Sequence, residues 1–292
     1  MSIDKLILGD NQFFGVNHMS QDKGRETYEK FKDIEEIKKI IYYAKDNGVT
    51  GLFFSTHPSI YQITDLIRKD STLRNELGIY VNVPYIIKYV QMMNEMGAYR
   101  TVRTVLKGNS LLQNIDYGLR TAINVLQGDY LKITNRLVEV EMNPFHGLNV
   151  KSVFLHNSLV DLAIGYDLDG AVVNFHDFIR KKYQVAPGFG TLNFPRLDQV
   201  LNRNHVRDVI VMTSVNKLGF LMNPGRTVCE ESLRNTQYDV LAMATLASGS
   251  LLPDEAFEYL FSLPTIKSVV VGVSSKKHAD ETFKLLRQHM GI

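Results

Sequence analysis

The sequence predicts an α/β protein, a single (β/α)8 TIM barrel with a helical insertion after its third strand. Three observations carry that prediction. Eight short runs rich in β-branched and aromatic residues alternate with segments of helical periodicity, the pattern of parallel strands joined by helical crossovers. A barrel with its outer helices takes roughly 250 residues, so a chain of 292 holds one barrel and an insertion. Its 45% hydrophobic and 22% charged residues suit a globular domain with a sizeable core.

Taken in order, the predicted strands are Lys5–Gly9, Gly51–Phe54, Ile79–Val83, Ser152–Leu155, Gln184–Gly188, Asp208–Met212, Asp239–Met243 and Ser268–Gly272. The first crossover shows why helices are expected between them. Asp33 can cap free amides, Glu36 follows three residues on, and Ile34, Ile37, Ile41 and Ala44 form one apolar stripe before Gly48. Residues 33–47 therefore read as a helix. Near the end, Pro253 and Asp254 open a helix whose Ala256, Phe257, Leu260 and Phe261 face inward until Pro264 stops it. Residues 85–150 are too long for one helix and its return. They carry helical periodicity in Val90–Met96, Val102–Leu106, Ile115–Leu126 and Ile133–Val140, and so read as an all-helical insertion within the single 1–292 barrel domain. Extra packing on the outer ring, a lid and a subunit contact are all open to it.

The net charge of +2 comes from interspersed acidic and basic residues, which leaves no basic block for nucleic acid. Met1–Asp10 lacks a basic flank ahead of an apolar stretch, and no window approaches about 20 uninterrupted apolar residues. Neither export nor a membrane span is expected. The single cysteine, Cys229, cannot close an intrachain disulfide and fits the reducing cytoplasm. The expected partner is a small-molecule substrate, with a homo-oligomer left open.

Barrel enzymes place their chemistry at the C-terminal ends of the strands. Polar residues recur at those positions: Asp10, then Asn17 and His18, after strand one; His57 after strand two; Asn82 on strand three; His156 after strand four; and Asn216 after strand six. Each has a plainer reading, since Asp10 can cap a turn and His57, before Pro58, can satisfy loop backbone. Asp10, His57 and His156 would suit zinc or iron chemically, but no short histidine spacing supports a site, so no metal is predicted. Ser274 and Ser275 stand between strand eight and a helix start, where free amides and the helix dipole favour an anion, and Lys276 and Lys277 add positive charge. A lone capping serine with two solvated lysines is the plain alternative.

Three C-terminal stretches resemble the aldo-keto reductase superfamily. Ala242 to Gly249 (AMATLASG) resembles its strand-seven phrase, with Leu246 in the matching loop position. Ser268 to His278 (SVVVGVSSKKH), continuing to Glu281 and Thr282, is similar to the strand-eight segment that holds the adenosine phosphate of NADP. Gly190 to Phe194 (GTLNF) looks like the strand-five motif that grips the nicotinamide carboxamide, with Asn193 matching and Leu192 departing. The resemblance is clearest from about residue 184 to 290.

It implies NADP(H) as cofactor, held by Asn193, Leu246, Ser274, Ser275, Lys276, Lys277 and Glu281. It also implies redox chemistry on a small carbonyl or hydroxyl compound, with His156 orienting the substrate. Asp10, His57 and Tyr61 are the residues left to aid proton transfer, with Tyr85 a further phenol in position, and Asn17, His18, Asn82 and Asn216 to line the substrate. The departures are specific. The family's catalytic aspartate position reads Ser55, the tyrosine position reads Ile60 with Tyr61 one step on, the lysine at the end of strand three is replaced by Pro84, and Met243 stands where an aromatic ring stacks on nicotinamide. A non-redox barrel enzyme (lyase, hydrolase or isomerase) with a phosphate site, or a non-catalytic nucleotide-binding barrel, are the alternatives these departures leave.

Overall fold

The computed structural model describes residues 3–16, 21–97, 100, 130–273 and 276–291. Eight parallel strands, each paired with the next and the last with the first, close into a barrel. They are β1 (Leu6–Gly9), β2 (Gly51–Ser55), β3 (Gly78–Val83), β4 (Val150–Leu155), β5 (Ala186–Thr191), β6 (Ile210–Ser214), β7 (Asp239–Met243) and β8 (Ile266–Val271).

The helices that bear on the site are α1 (Gln21–Lys30), α2 (Ile34–Asp46), α3 (Ile60–Lys69), α4 (Ser71–Glu76), α5 (Ile86–Met96), α6 (Tyr130–Glu141), α7 (Asn157–Gly165), α8 (Asp169–Tyr183), α9 (Phe194–Arg203), α10 (Arg226–Asn235), α11 (Pro253–Phe261) and α12 (Lys276–Met290).

The predicted α2 and α11 form within two residues of expectation, and the Asp33 carboxylate accepts the Glu35 N–H as the cap. Four strands start two residues from the expected position, β4 and β8 earlier and β5 and β6 later. Gln184 and Asp208 adopt left-handed backbone with φ of 58° and 56°, which a strand cannot accommodate. β5 and β6 therefore start later than the sequence suggests and run on to Thr191 and Ser214. β8 starts two residues early, directly behind Pro264 and Thr265. Between β3 and β4, the periodicity of 90–96 and 133–140 is realised in α5 and α6. The predicted segments Val102–Leu106 and Ile115–Leu126 lie outside the described residues.

Strand side chains alternate between two environments, as a period of two requires. Leu6, Leu8, Leu52, Phe54, Val81, Val153 and Leu155 pack outward into the core shared with the helices. Ile7, Phe53, Tyr80, Phe154, Ile210, Met212 and Leu241 fill the barrel interior. Large rings are admitted there by glycines on neighbouring strands: a Cβ at Gly188 would lie 2.5 Å from the Phe154 ring, and one at Gly51 would lie 2.9 Å from Tyr80. The N-terminal end of the barrel is closed by polar contacts, with the Tyr80 hydroxyl donating to Asp4 Oδ2 at 2.7 Å and Ser268 donating to the Asp4 carbonyl at 2.6 Å. The plugged interior leaves the opposite end for a ligand.

Candidate active site

The same alternation decides what faces the C-terminal mouth. One step beyond the apolar interior layer, the inward positions are Gly9, Ser55, Asn82, Gly190, Ser214, Met243 and Gly272, with His156 two residues past Phe154. Three of these positions are glycines, and a Cβ at Gly9, Gly190 or Gly272 would come within 3.3 Å of Val270, Asn157 or Gln12, while hydroxyl, amide and imidazole groups make up the rest of the layer. Three of the polar atoms here, Gln12 Oε1, Asn82 Oδ1 and Ser214 Oγ, are buried with no hydrogen-bond partner among the described residues. Leaving such a group unpaired costs about 1–3 kcal/mol, so these atoms are placed to accept from or donate to a polar group or water that enters the mouth. Gln12 sits against Gly272, where a Cβ would come within 2.8 Å of its Oε1.

Asp10 follows β1 directly and is buried. Its Oδ2 accepts both the Ser55 N–H at 2.6 Å and the Ser55 hydroxyl at 2.7 Å. Burial pushes its carboxyl up to about 6 despite those bonds, which pull the other way. A carboxyl near 6 exchanges protons readily at physiological pH.

His57 and His156 are held alike. The Nδ1 of His57 accepts the Ser59 N–H at 3.1 Å, and the Nδ1 of His156 accepts the Ser158 N–H at 3.2 Å, capping α7. Burial lowers the pKa of both below the ordinary histidine value. Each ring is therefore neutral at pH 7 with its proton assigned to Nε2 by the bond at Nδ1, which makes each a donor in a fixed tautomer.

The His57 ring stacks on Phe14 with centroids 4.2 Å apart and meets Tyr85 edge-on at 5.4 Å. Tyr85 caps α5 just past the end of β3. Burial, and then the Asp10 charge, raise its phenol above the usual value, so it stays protonated at neutral pH. Asp10, His57, Tyr85 and His156 thus border one mouth across the ends of β1 to β4.

The other sequence-predicted residues take varied places. Tyr61 is half exposed on α3, and of the two phenols Tyr85 is the one whose ring meets His57. Both polar ends of the Asn216 side chain are bound to the Phe220 backbone at 2.8 Å, which makes it a loop brace. Asn193 caps α9 through its side-chain oxygen, on the Arg196 N–H at 3.3 Å. It lines a cleft of about 400 Å³ on the outer wall with Asp161, Arg196 and Asn223. Leu246 is half-buried against the core. Lys276 opens the 15-residue α12, exposed and with its ammonium 5.3 Å over the Tyr43 ring. Lys277 falls in the same first turn, and Glu281 is exposed on the helix. Asn17, His18, Ser274 and Ser275 lie outside the described residues.

Sequence reasoning places Gln12 and Ser214 among the polar groups at strand ends without giving either a role, and it passes over Ser55 as the holder of Asp10 and over Glu141. Strand alternation could have placed Ser55. The contacts of Glu141 reach across more than fifty residues, and no local pattern announces them.

No family model and no curated protein matches the chain. Solved structures do match its fold. A candidate aldo-keto reductase from Pseudomonas aeruginosa superposes with a TM-score of 0.63 at 15% identity, over 99% of this chain and 92% of that one. An aldo-keto reductase from Bacillus halodurans in its holo form gives 0.54 at 11% identity, over 98% and 91%. A candidate 2,5-diketo-D-gluconic acid reductase B gives 0.52 at 11%, over 98% and 85%. The chain thus shares the eight-stranded barrel fold of aldo-keto reductases. Among the described residues, no helix is long and apolar enough to cross a membrane, and no group of three or more His, Cys, Asp or Glu could hold a metal ion.

Proposed function

We propose that the protein is an aldo-keto reductase-like, NADP-linked oxidoreductase acting on a small carbonyl or hydroxyl compound. The observation that carries the reading is the mouth itself, where Asp10, His57, Tyr85 and His156 stand at the C-terminal ends of β1 to β4 in a barrel whose fold is that of aldo-keto reductases.

The chain fits the cofactor best at its phosphate end. Ala244, Ala247 and Ser248, in the loop after β7, all hold left-handed backbone, at φ of 53°, 45° and 57°. Such conformations are costly for non-glycine residues and collect at ligand clamps. With the α12 N-terminus and Lys276, this loop would hold the phosphates. At the nicotinamide end Asn193 is occupied as a cap, and the unpartnered Ser214 hydroxyl, registered beside Met243, is the polar group left to meet the carboxamide. The cofactor, when bound, supplies the hydride.

The chain's own part is polarisation and proton transfer. The Nε2–H groups of His57 and His156 donate to a substrate oxygen from β2 and β4, strand ends roughly 10 Å apart from the strand spacing. Asp10, near half-protonation around pH 6, supplies or receives the proton through the Oδ1 that Ser55 leaves unused. Tyr85, protonated throughout, adds a further donor.

Isothermal titration with NADPH tests the reading. Saturable binding that weakens on Lys276→Ala is expected. No binding at millimolar concentration, with phosphate esters still bound, would refute the redox role and leave a phosphate-site barrel enzyme of another class.

A further inference from the structure

The Glu141 carboxylate, at the C-terminal end of α6, is fully buried, yet it belongs to the segment inserted between β3 and β4 rather than to the mouth. Four donors converge on it. The Thr56 hydroxyl donates to Oε2, as does the Tyr85 N–H at 3.3 Å; the Lys88 ammonium donates to Oε1 at 2.6 Å, as does the Tyr89 hydroxyl. Lys88 is about one-third exposed, so it brings charge to the pair without being buried itself. Tyr89 is buried and its phenol is held well above the ordinary value, so it donates at any physiological pH.

Two of these donors flank one residue. Thr56 immediately precedes His57, and Tyr85 packs edge-on against the His57 ring at 5.4 Å. The third side of that ring is the Phe14 stack, and its Nδ1 is fixed by Ser59. One carboxylate therefore holds both the side chain of the residue before His57 and the backbone N–H of the tyrosine whose ring packs against it. His156 is set independently by its own α7 cap, with its backbone N–H on the Val83 carbonyl at 2.8 Å.

We propose that Glu141 is a positioning residue for His57, through which the segment inserted after β3 controls the tautomer and orientation of one donor at the mouth while leaving the other untouched. From the proposed function this takes only that His57 works at the mouth, and it holds whether or not the chemistry is redox.

The test is nitrogen-15 NMR of the histidine rings in the full chain at about pH 8, above the ordinary histidine pKa of about 6.5. In the unaltered protein His57 and His156 should each show one protonated and one unprotonated ring nitrogen, the proton on Nε2. In Glu141→Ala the two His57 nitrogen signals should move toward each other as both tautomers populate, with His156 unchanged. Glu141→Gln, whose amide oxygen still accepts from Thr56 and Tyr85, should restore the His57 pattern. Thr56→Val removes one anchor at nearly constant volume and should give a smaller shift of the same kind, so it decides the matter if Glu141→Ala does not fold. A folded Glu141→Ala or Thr56→Val variant with His57 unmoved would overturn the proposal. So would His57 and His156 shifting together, because that marks general loosening. NADPH affinity is read separately, so loss of the redox reading would leave this result standing.

Discussion

Replacing Asp10 by asparagine should stabilise the fold at neutral pH, and the size of the effect follows from where the carboxyl sits. Burial raises it from 3.8 to about 6. A rise of about two in pKa, at 1.36 kcal/mol each, makes ionised Asp10 a burden of about 3 kcal/mol on the native state. The sign follows from proton binding. Between pH 3.8 and about 6 the native protein holds a proton that the unfolded chain has released, so folding favours the protonated form. The advantage of protonation is complete below 3.8 and is lost as pH rises through 6. Asparagine carries no charge at any pH. It also changes the bonds to Ser55, an effect that does not vary with pH, so the informative quantity is how the gain changes with pH rather than its absolute size. Urea denaturation of both proteins from pH 4 to pH 8 should show the relative stability of Asp10→Asn growing by about 2–3 kcal/mol, with most of the growth complete by pH 7. A difference that stays flat across this range would mean that Asp10 ionises as an ordinary aspartate, and the argument for it as a proton-transfer group would fall with it.

Two further outcomes separate site from scaffold. In any turnover assay, Tyr85→Phe should lower kcat/KM by about tenfold or more, as loss of a positioned donor does, while Tyr61→Phe should stay within about twofold; the reverse order would put the working phenol on α3. Gly188→Ala drives a Cβ to 2.5 Å from the Phe154 ring and should cost about 1–3 kcal/mol through overpacking, seen as a lower Tm with cofactor affinity retained; an unchanged Tm would show that the ring can move aside.

The barrel was legible because parallel buried strands read as short apolar runs, and those runs sit between strong helix signals such as Asp33 and Pro253. Strand edges were less legible at β5 and β6, where Gln184 and Asp208 take left-handed backbone that their side chains do not announce. Asp10, His57, Asn82 and His156 were readable as polar residues at strand ends, since position alone selects them. The Asn216 side chain is bound to the Phe220 backbone, a contact that depends on the loop folding around it and that no local pattern gives. Glu141 was not legible at all. It ends a helix as one more charged residue after Lys132, Arg136 and Glu139, and its contacts with Thr56, Tyr85, Lys88 and Tyr89 come from elsewhere in the chain.

The departure of Ser55 from the resembling family's pattern acquires a physical meaning from its contacts. A carboxylate still occupies this sector, but it comes from the neighbouring strand: Asp10, on β1, is held by the N–H and hydroxyl of Ser55 on β2. In the family's arrangement the aspartate is paired with a lysine, and a nearby cation lowers a carboxyl's pKa. Here Pro84 stands where that lysine would be, and the cation nearby in sequence, Lys88, is bound to Glu141. Among the described residues no cation is paired with Asp10; burial governs it, and its pKa rises to about 6. A group at 3 or below can only hold another residue; a group at 6 can itself give and take a proton at working pH. A buried carboxyl with this pKa is therefore suited to the proton transfer proposed for it. Turnover should accordingly show a limb near pH 6 that disappears in Asp10→Asn; a limb that persists in that variant would refute the assignment.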